Sequence, residues 1–387
     1  MPDLTTIFLG IFAFPTLAYI VLYSLPEIWM KIRPVPDLKK RYNAEWALVT
    51  GAGSGIGKSL VFKLAKQGLN VVVVSLDDDF LKATMKELQQ QFPKLEFRSV
   101  GVNFAPGTGY MDKIKKATDD IFVQIVFSNA GFLASGFFEA ANLQKLNVNM
   151  ECNATAGFNV AHHFVSKMVV AKKKGCLVFT SSVAGFIPTP FSGELKCLSP
   201  FPDGVPTHWH SSLVHSDNDP YVLFALLGMY GATKAFCSSL AASMHIELNS
   251  LGIDVCAVHP SPVASNFYDK LDHKIEILES ATKNAVSPDA LPDDIFRSIG
   301  CCALRDLGGA YGTLFWMTMS LSDGYRGTQS NLLPEHFLSY LLPCMQEWPL
   351  HLEWVHSGFP ITSLPNSLPL LLRSSPTGKP TTRIDSR

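Results

Sequence analysis

Six short apolar runs punctuate the chain between residues 46 and 259: WALVT (46–50), NVVVVS (70–75), EFRSVGV (96–102), VQIVFS (123–128), CLVFTS (176–181) and IDVCAVH (253–259). Stretches of helical character separate most of them. The clearest is GIGKSLVFKLAKQG (55–68), which a glycine closes. Strands that alternate apolar and polar residues have one wet face; continuous apolar runs have none. Runs of that kind alternating with helices predict a parallel sheet covered on both faces, an α/β fold of the Rossmann-type doubly wound class. No internal repeat interrupts the alternation.

Two regions depart from it. Residues 192–228 carry prolines and histidines without a sustained period, and so does the Pro-, Ser- and Leu-rich tail from about Pro343. A long stretch of that kind is foreign to a compact domain. The third departure is at the start, where IFLGIFAFPTLAYIVLYSL (7–25) runs for nineteen residues without a charge. That is about the length a helix needs to cross a bilayer core of roughly 30 Å. A secretory signal or a buried core helix are the rival readings, but the run is long for a signal and its basic residues follow it. Lys31, Arg33, Lys39, Lys40 and Arg41 lie after the run and none before it. The positive-inside rule then puts the remainder of the chain in the cytosol. The expected organisation is an N-terminal transmembrane helix (1–30), a basic juxtamembrane linker RPVPDLKKRY within 31–44, an α/β domain (45–312) and a tail (313–387).

Composition changes this picture little. The net charge of −1 over 387 residues offers no electrostatic basis for nucleic-acid binding. None of the eight cysteines forms a C-x-x-C pair, so they read as reduced, buried thiols. His162–His163 and the set His208, His210 and His215 lack partners at ligand spacing, so no metal is expected. Asn153-Ala-Thr has the form of a glycosylation sequon, which a cytosolic domain would not use.

Chemistry concentrates in two places. TGAGSGIG (50–57) sits between the first strand and its helix, where glycines let backbone amides approach a pyrophosphate at a helix N-terminus. In MYGATKAF (229–236), Tyr230 and Lys234 are four apart at a helix start and share one face. A phenol beside an ammonium is a proton donor.

Together with SNAG (128–131), TSSVAG (180–185) and HPSPVAS (259–265), these motifs resemble the classical short-chain dehydrogenases/reductases over about residues 44–312, excluding the insertion. Within that superfamily the chain is similar to the membrane-anchored hydroxysteroid dehydrogenase and very-long-chain 3-oxoacyl-CoA reductase group, plant and algal members included. The resemblance implies a dinucleotide site built by Thr50, Gly51, Ser54, Gly55, Ile56 and Gly57 on the first turn. Ser75 and Asn103 would lie towards the adenosine, with Asn103 where an aspartate is usual. Asn129, Ala130 and Gly131 would steady the central sheet, Ser128 standing where the family has asparagine. Pro260, Val263 and Ser265 would meet the nicotinamide carboxamide. It implies a catalytic tetrad: Tyr230 moves the proton, and Lys234 lowers the phenol's pKa and holds the ribose. Ser182 polarises the substrate carbonyl, and Asn153 holds a water leading to Lys234.

The resemblance also implies NADP(H), a ketone–alcohol reaction on a 3-oxoacyl-CoA or steroid, a homodimer as partner, and the endoplasmic reticulum membrane. Residues 266–295 would form the substrate-side loop and helix. The local charge leans the other way on cofactor. Leu76 stands where related reductases carry an arginine, and Asp77, Asp78 and Asp79 follow, which suits the free 2′-hydroxyl of NAD(H). Ser182 is not in a G-x-S-x-G elbow, which argues against a serine hydrolase. Ser182 and Tyr230 are also 48 positions apart, against about a dozen in the family. Removing about 35 residues from 192–228, a stretch with the character of a translated intron, restores the spacing. The alternative function is therefore a dinucleotide-binding membrane scaffold whose insertion has spread the tetrad.

Overall fold

The computed structural model describes residues 25–134, 141–185, 228–268 and 285–308. Seven parallel strands form one sheet in the order β3-β2-β1-β4-β5-β6-β7. They are β1 (Trp46–Thr50), β2 (Asn70–Ser75), β3 (Phe97–Gly101), β4 (Val123–Ser128), β5 (Gly175–Thr180), β6 (Ile253–His259) and β7 (Leu304–Asp306). The order reverses between β1 and β4, which opens the crevice at the carboxyl ends of these strands where doubly wound sheets bind ligands.

Each strand sends alternate side chains to opposite faces, and both faces are dry. Leu48, Val72, Val126, Leu177 and Val255 point to one layer. That layer is covered by α5 (Tyr110–Ala117), α7 (Ala156–Val170) and α8 (Gly228–Leu248). Ala47, Val49, Val73, Ile125, Val178 and Cys256 point to the other. Its cover is α2 (Leu38–Tyr42), α3 (Gly55–Lys66), α4 (Asp79–Gln91) and α9 (Leu291–Ser298). This two-sided burial is why the strands read as unbroken apolar runs.

The short β7 was not expected; three residues carry no readable period, and only pairing with Ala257–His259 makes Leu304–Asp306 a strand. Residues 31–44 also differ from the expected linker. They contain the end of α1 (Leu25–Ile32) and all of α2. Asp37 caps α2 by accepting from the Lys40 amide, and Leu38 and Tyr42, one turn apart, are buried on its inner face. Tyr42 and Arg41 both donate to Asp254, at 2.5 and 3.0 Å. The segment is proline-broken and basic, yet its apolar residues are spaced to dock.

The apolar stretch 7–25 lies outside the described residues except for Leu25, and no helix among the described residues is long and apolar enough to cross a membrane. The insertion 192–228, save Gly228, and the tail 313–387 also lie outside them, as do residues 269–284 of the expected substrate loop.

Burial raises the carboxyl of Asp306 to about 6; Glu27 pushes the same way, while the Gly308 amide and Arg305 pull it back. The folded chain therefore holds this proton more tightly than the unfolded chain. The resulting stability is full below the ordinary aspartate range and is lost as pH rises through about 6. Asp306→Asn, which does not titrate, should be more stable than the parent above pH 6, by at most about 3 kcal/mol at roughly 1.4 kcal/mol per unit. Urea unfolding at several pH values between 4 and 8 should show the two curves diverging as pH rises.

Candidate active site

The turn after β1 is built for close approach. Gly51 and Gly55 have φ of 64° and 55°, the left-handed region that side chains rarely adopt. A Cβ at Gly57 would run into the Gly51 carbonyl and stand 2.8 Å from Asn129 Nδ2. Asn129 staples this turn to the end of β4. Its Nδ2 donates to the carbonyls of Thr50 and Gly51, at 3.2 and 3.3 Å. Thr50 Oγ1 in turn accepts from the amides of Asn129 and Ala130, both at 3.0 Å. Ser54 is the N-cap of α3 with extended backbone, and its side chain makes no capping bond, so it does not compete for the first helical amides. Ile56 packs on the core beneath.

The rest of the predicted rim is spread around this turn. Ser75 Oγ would lie 2.9 Å from a Cβ at Gly53, and Ser265 Cβ 3.2 Å from one at Gly55. Val263 is buried and bridges to Val286, which anchors the 260–265 loop after β6. Asn103 is exposed beyond β3, and its carbonyl accepts from Thr108 Oγ1 at 2.7 Å. The three aspartates after β2 divide their work. Asp78 caps α4 through the Leu81 amide at 3.0 Å, and Asp79 faces solvent beside Lys82. Asp77 alone lies over Gly101, where a Cβ would sit 2.8 Å from its own. Leu76 is exposed beside it. Positive-φ glycines, open helical amides and a carboxylate at the far end fit a dinucleotide.

Ser182, Tyr230, Lys234 and Asn153 come together at the carboxyl end of β5 and the start of α8, despite the 48 positions between Ser182 and Tyr230. Ser182 is near enough to the Tyr230 phenol to pull its pKa down. Lys234 is buried, donates from Nζ to the Thr180 carbonyl at 2.8 Å, and lies 5.6 Å from the centre of the Tyr230 ring. Asn153 sits in a single π-helical turn, Glu151–Thr155, between α6 (Leu143–Met150) and α7. Wide turns of this type recur at functional positions. There Asn153 Oδ1 accepts from the Phe132 amide at 2.9 Å, and Nδ2 donates to the Phe132 carbonyl at 3.0 Å and to Thr233 Oγ1 at 3.2 Å. Gly131 leaves room for all of this: a Cβ there would be 3.1 Å from Asn153 Oδ1 and 3.2 Å from Lys234 Nζ.

Burial pushes the Tyr230 phenol up from its ordinary value, and Ser182 pulls it part of the way back. The Lys234 ammonium spends one hydrogen bond on the Thr180 carbonyl. Burial likewise lowers Lys234, partly offset by the nearby Cys237 and Cys152.

Other residues of the site carried no sequence signal. Ser181 and Ser238 both reach the Lys234 carbonyl, at 2.8 and 2.9 Å. Ser238 meets His259 Nε2 at 2.8 Å, and His259 Nδ1 meets the Arg305 carbonyl at 3.2 Å. A carbonyl only accepts, so His259 Nδ1 donates to the Arg305 carbonyl. Leu133, Ala184 and Tyr230 form a small apolar cluster flanked by Phe267 and Tyr268. Among the described residues no group of three or more His, Cys, Asp or Glu is placed to hold a metal.

Residues 45–193 match the short chain dehydrogenase family. The chain is 28% identical over 242 residues to a very-long-chain 3-oxoacyl-CoA reductase-like protein of Arabidopsis thaliana, covering 61% of this chain and 65% of that protein. It is 27% identical over 258 residues to hydroxysteroid dehydrogenase-like protein 1 of Gallus gallus, covering 65% and 64%. The matches thus span a little under two thirds of these relatives' own length. Among solved structures, a short-chain dehydrogenase from Sphingobium yanoikuyae in complex with NADPH superposes with a TM-score of 0.52 at 22% identity, over 74% of this chain and 96% of that one. That likeness is one of fold.

Gly57→Ala tests the turn. Its methyl group forces either Gly51 or Asn129 to move, so dinucleotide affinity should fall by about tenfold or more, the equivalent of ~1.4 kcal/mol. Titration by protein fluorescence with NADPH and with NADH reads this directly.

Proposed function

Because the chain belongs to the short-chain dehydrogenase/reductase family, we propose that it interconverts a ketone and a secondary alcohol on a lipid-like substrate, a 3-oxoacyl thioester or a steroid, with a nicotinamide dinucleotide. The observation that carries this reading is the convergence of Ser182, Tyr230 and Lys234 across a long insertion, with Ser182 acting on the phenol and Lys234 Nζ 5.6 Å from its ring. The printed names of the relatives supply the substrate classes, and the apolar cluster around Tyr230 suits a greasy substrate.

When bound, the dinucleotide supplies or takes the hydride, and the protein binds, orients and handles the proton. Tyr230 Oη gives the proton to the substrate oxygen in reduction and takes it back in oxidation. A buried phenol with a raised pKa stays protonated near neutrality, which suits it to the donor role. Ser182, in reach of that phenol, shares the substrate oxygen with it and polarises the carbonyl. The ammonium of Lys234 stabilises the phenolate left behind and holds the ribose hydroxyls. Asn153 fixes the Phe132 backbone on the far side and holds the water that returns the proton to Lys234.

The dinucleotide would rest on Thr50, Gly51, Ser54, Gly55, Ile56 and Gly57, with Asn103 at the adenine and Pro260, Val263 and Ser265 at the nicotinamide. Kinship to the reductase group favours NADP(H). Exposed Leu76 and the Asp77 carboxylate are the features that favour NAD(H). We further assign residues 7–25 as a membrane anchor at the endoplasmic reticulum, with the catalytic domain cytosolic.

The test is oxidation of NADPH and NADH by the full chain, and by a chain lacking 193–228, with long-chain 3-oxoacyl thioesters and ketosteroids. Turnover by the full chain should fall by about 10²–10⁴-fold in Tyr230→Phe, the usual worth of a positioned proton donor. Turnover only after excision would instead favour the scaffold reading. Leu76→Arg should raise kcat/KM for NADPH relative to NADH by about tenfold, since a charge-assisted contact to phosphate is worth roughly 1.5–3 kcal/mol. An unchanged ratio would remove Leu76 from cofactor selection.

A further inference from the structure

The first described helix, Leu25–Ile32, fixes where the chain enters the domain. In a parallel sheet every carboxyl end lies on one rim, and here that rim holds Thr50, Asn129, Ser182 and Pro260. Glu27, near the start of α1, pairs with Arg305 of β7, which is level with Val258 near the carboxyl end of β6. Further along, Met30 packs with Cys301 and Cys302, which precede β7, and Arg297 Nε donates to the Arg33 carbonyl at 2.9 Å. Further still, Arg41 and Tyr42 hold Asp254, the second residue of β6. The segment therefore runs down the β6–β7 edge from the catalytic rim to the opposite rim. Four residues of β6 separate the two levels, about 13 Å at the usual rise of a strand.

Two consequences follow. The start of α1 therefore lies at the catalytic rim, on the side of β6 and β7 rather than the adenosine side at β2 and β3. The outward face of α1 carries Leu25, Ile28 and Ile32, a row at helical spacing that is 41%, 53% and 75% exposed, with Lys31 exposed between them. A row of large aliphatic side chains with a cation, joined directly to a nineteen-residue uncharged stretch, has the chemistry of an interfacial helix.

We propose that α1 lies in the bilayer surface on its Leu25–Ile28–Ile32 row, so that the catalytic rim opens toward the membrane and takes its substrate from it. This rests on the assignment of residues 7–25 as a membrane anchor. The buried Arg305–Glu27 pair and the Met30 contact make α1 a fixed bracket between bilayer and sheet rather than a tether.

The experiment is photolabelling of the full chain in phosphatidylcholine vesicles that contain a phosphatidylcholine with a diazirine on its acyl chain, mapped by mass spectrometry. Label should fall on residues 7–24, on the α1 row and on Phe267–Tyr268. It should be absent from the opposite rim at residues 42–45, 67–70 and 172–175. In Ile28→Glu/Ile32→Glu, both substitutions at exposed positions, the α1 label should be lost while that on 7–24 persists. Label confined to 7–24 overturns the proposal and leaves the anchor standing, and so does label on the opposite rim. Absence of label from 7–24 overturns the anchor assignment and the proposal with it. None of these readouts depends on turnover, so failure of the proposed reaction is separately visible.

Discussion

The arrangement turns on one buried cation. Lys234 is 3% exposed, and an ammonium removed from water costs several kcal/mol unless its protons are taken up. The Thr180 carbonyl takes one, and a Cβ at Gly131 would stand only 3.2 Å from Nζ. Satisfying this one group therefore fixes the end of β5, the loop after β4, the π turn and α8 relative to one another. The same low-dielectric setting pushes the Tyr230 phenol up and the ammonium down, because burial disfavours the charged form of each.

The position of α8 has a second support that does not involve any predicted catalytic residue. Gly185, in the short turn after β5, lies so close to the backbone of Lys234 and Ala235 that a Cβ would be 2.8 Å from the first. Ser181 and Ser238 hold the Lys234 carbonyl, and Ser238 leads through His259 to the backbone of β7. Arg305 of that strand pairs with Glu27 of α1. A continuous set of buried polar contacts thus joins the helix nearest the apolar N-terminal stretch to the helix that carries the tyrosine.

These contacts explain how Ser182 and Tyr230 meet across so many intervening residues. None of them uses residues 186–227. Loop closure grows only with the logarithm of length, so lengthening a connection from a dozen to several tens of residues costs on the order of 1 kcal/mol. Gly185 and the serine–histidine set dock α8 regardless of how the chain arrives at it.

Much of this molecule was legible in its residue order. Four of the six predicted strands coincide with observed ones to the residue, because two-sided burial writes itself as an unbroken apolar run and because Thr50, Gly68 and Ser75 stand at the breaks. The glycine turn was legible because positive φ and close approach leave few residue types to choose from, and the Tyr230–Lys234 pair because a helix repeats nearly every fourth residue. What tertiary structure alone decided was how distant groups answer one another. Leu304–Asp306 is a strand only against β6, and the π turn that aims Asn153 has no local code. His259 and Ser238 matter only through partners 46 and 57 positions away, and Lys234 spends one hydrogen bond on the Thr180 carbonyl. Local sequence sets propensity and period; the pairing of buried polar groups is settled only when separate parts of the chain exclude water together.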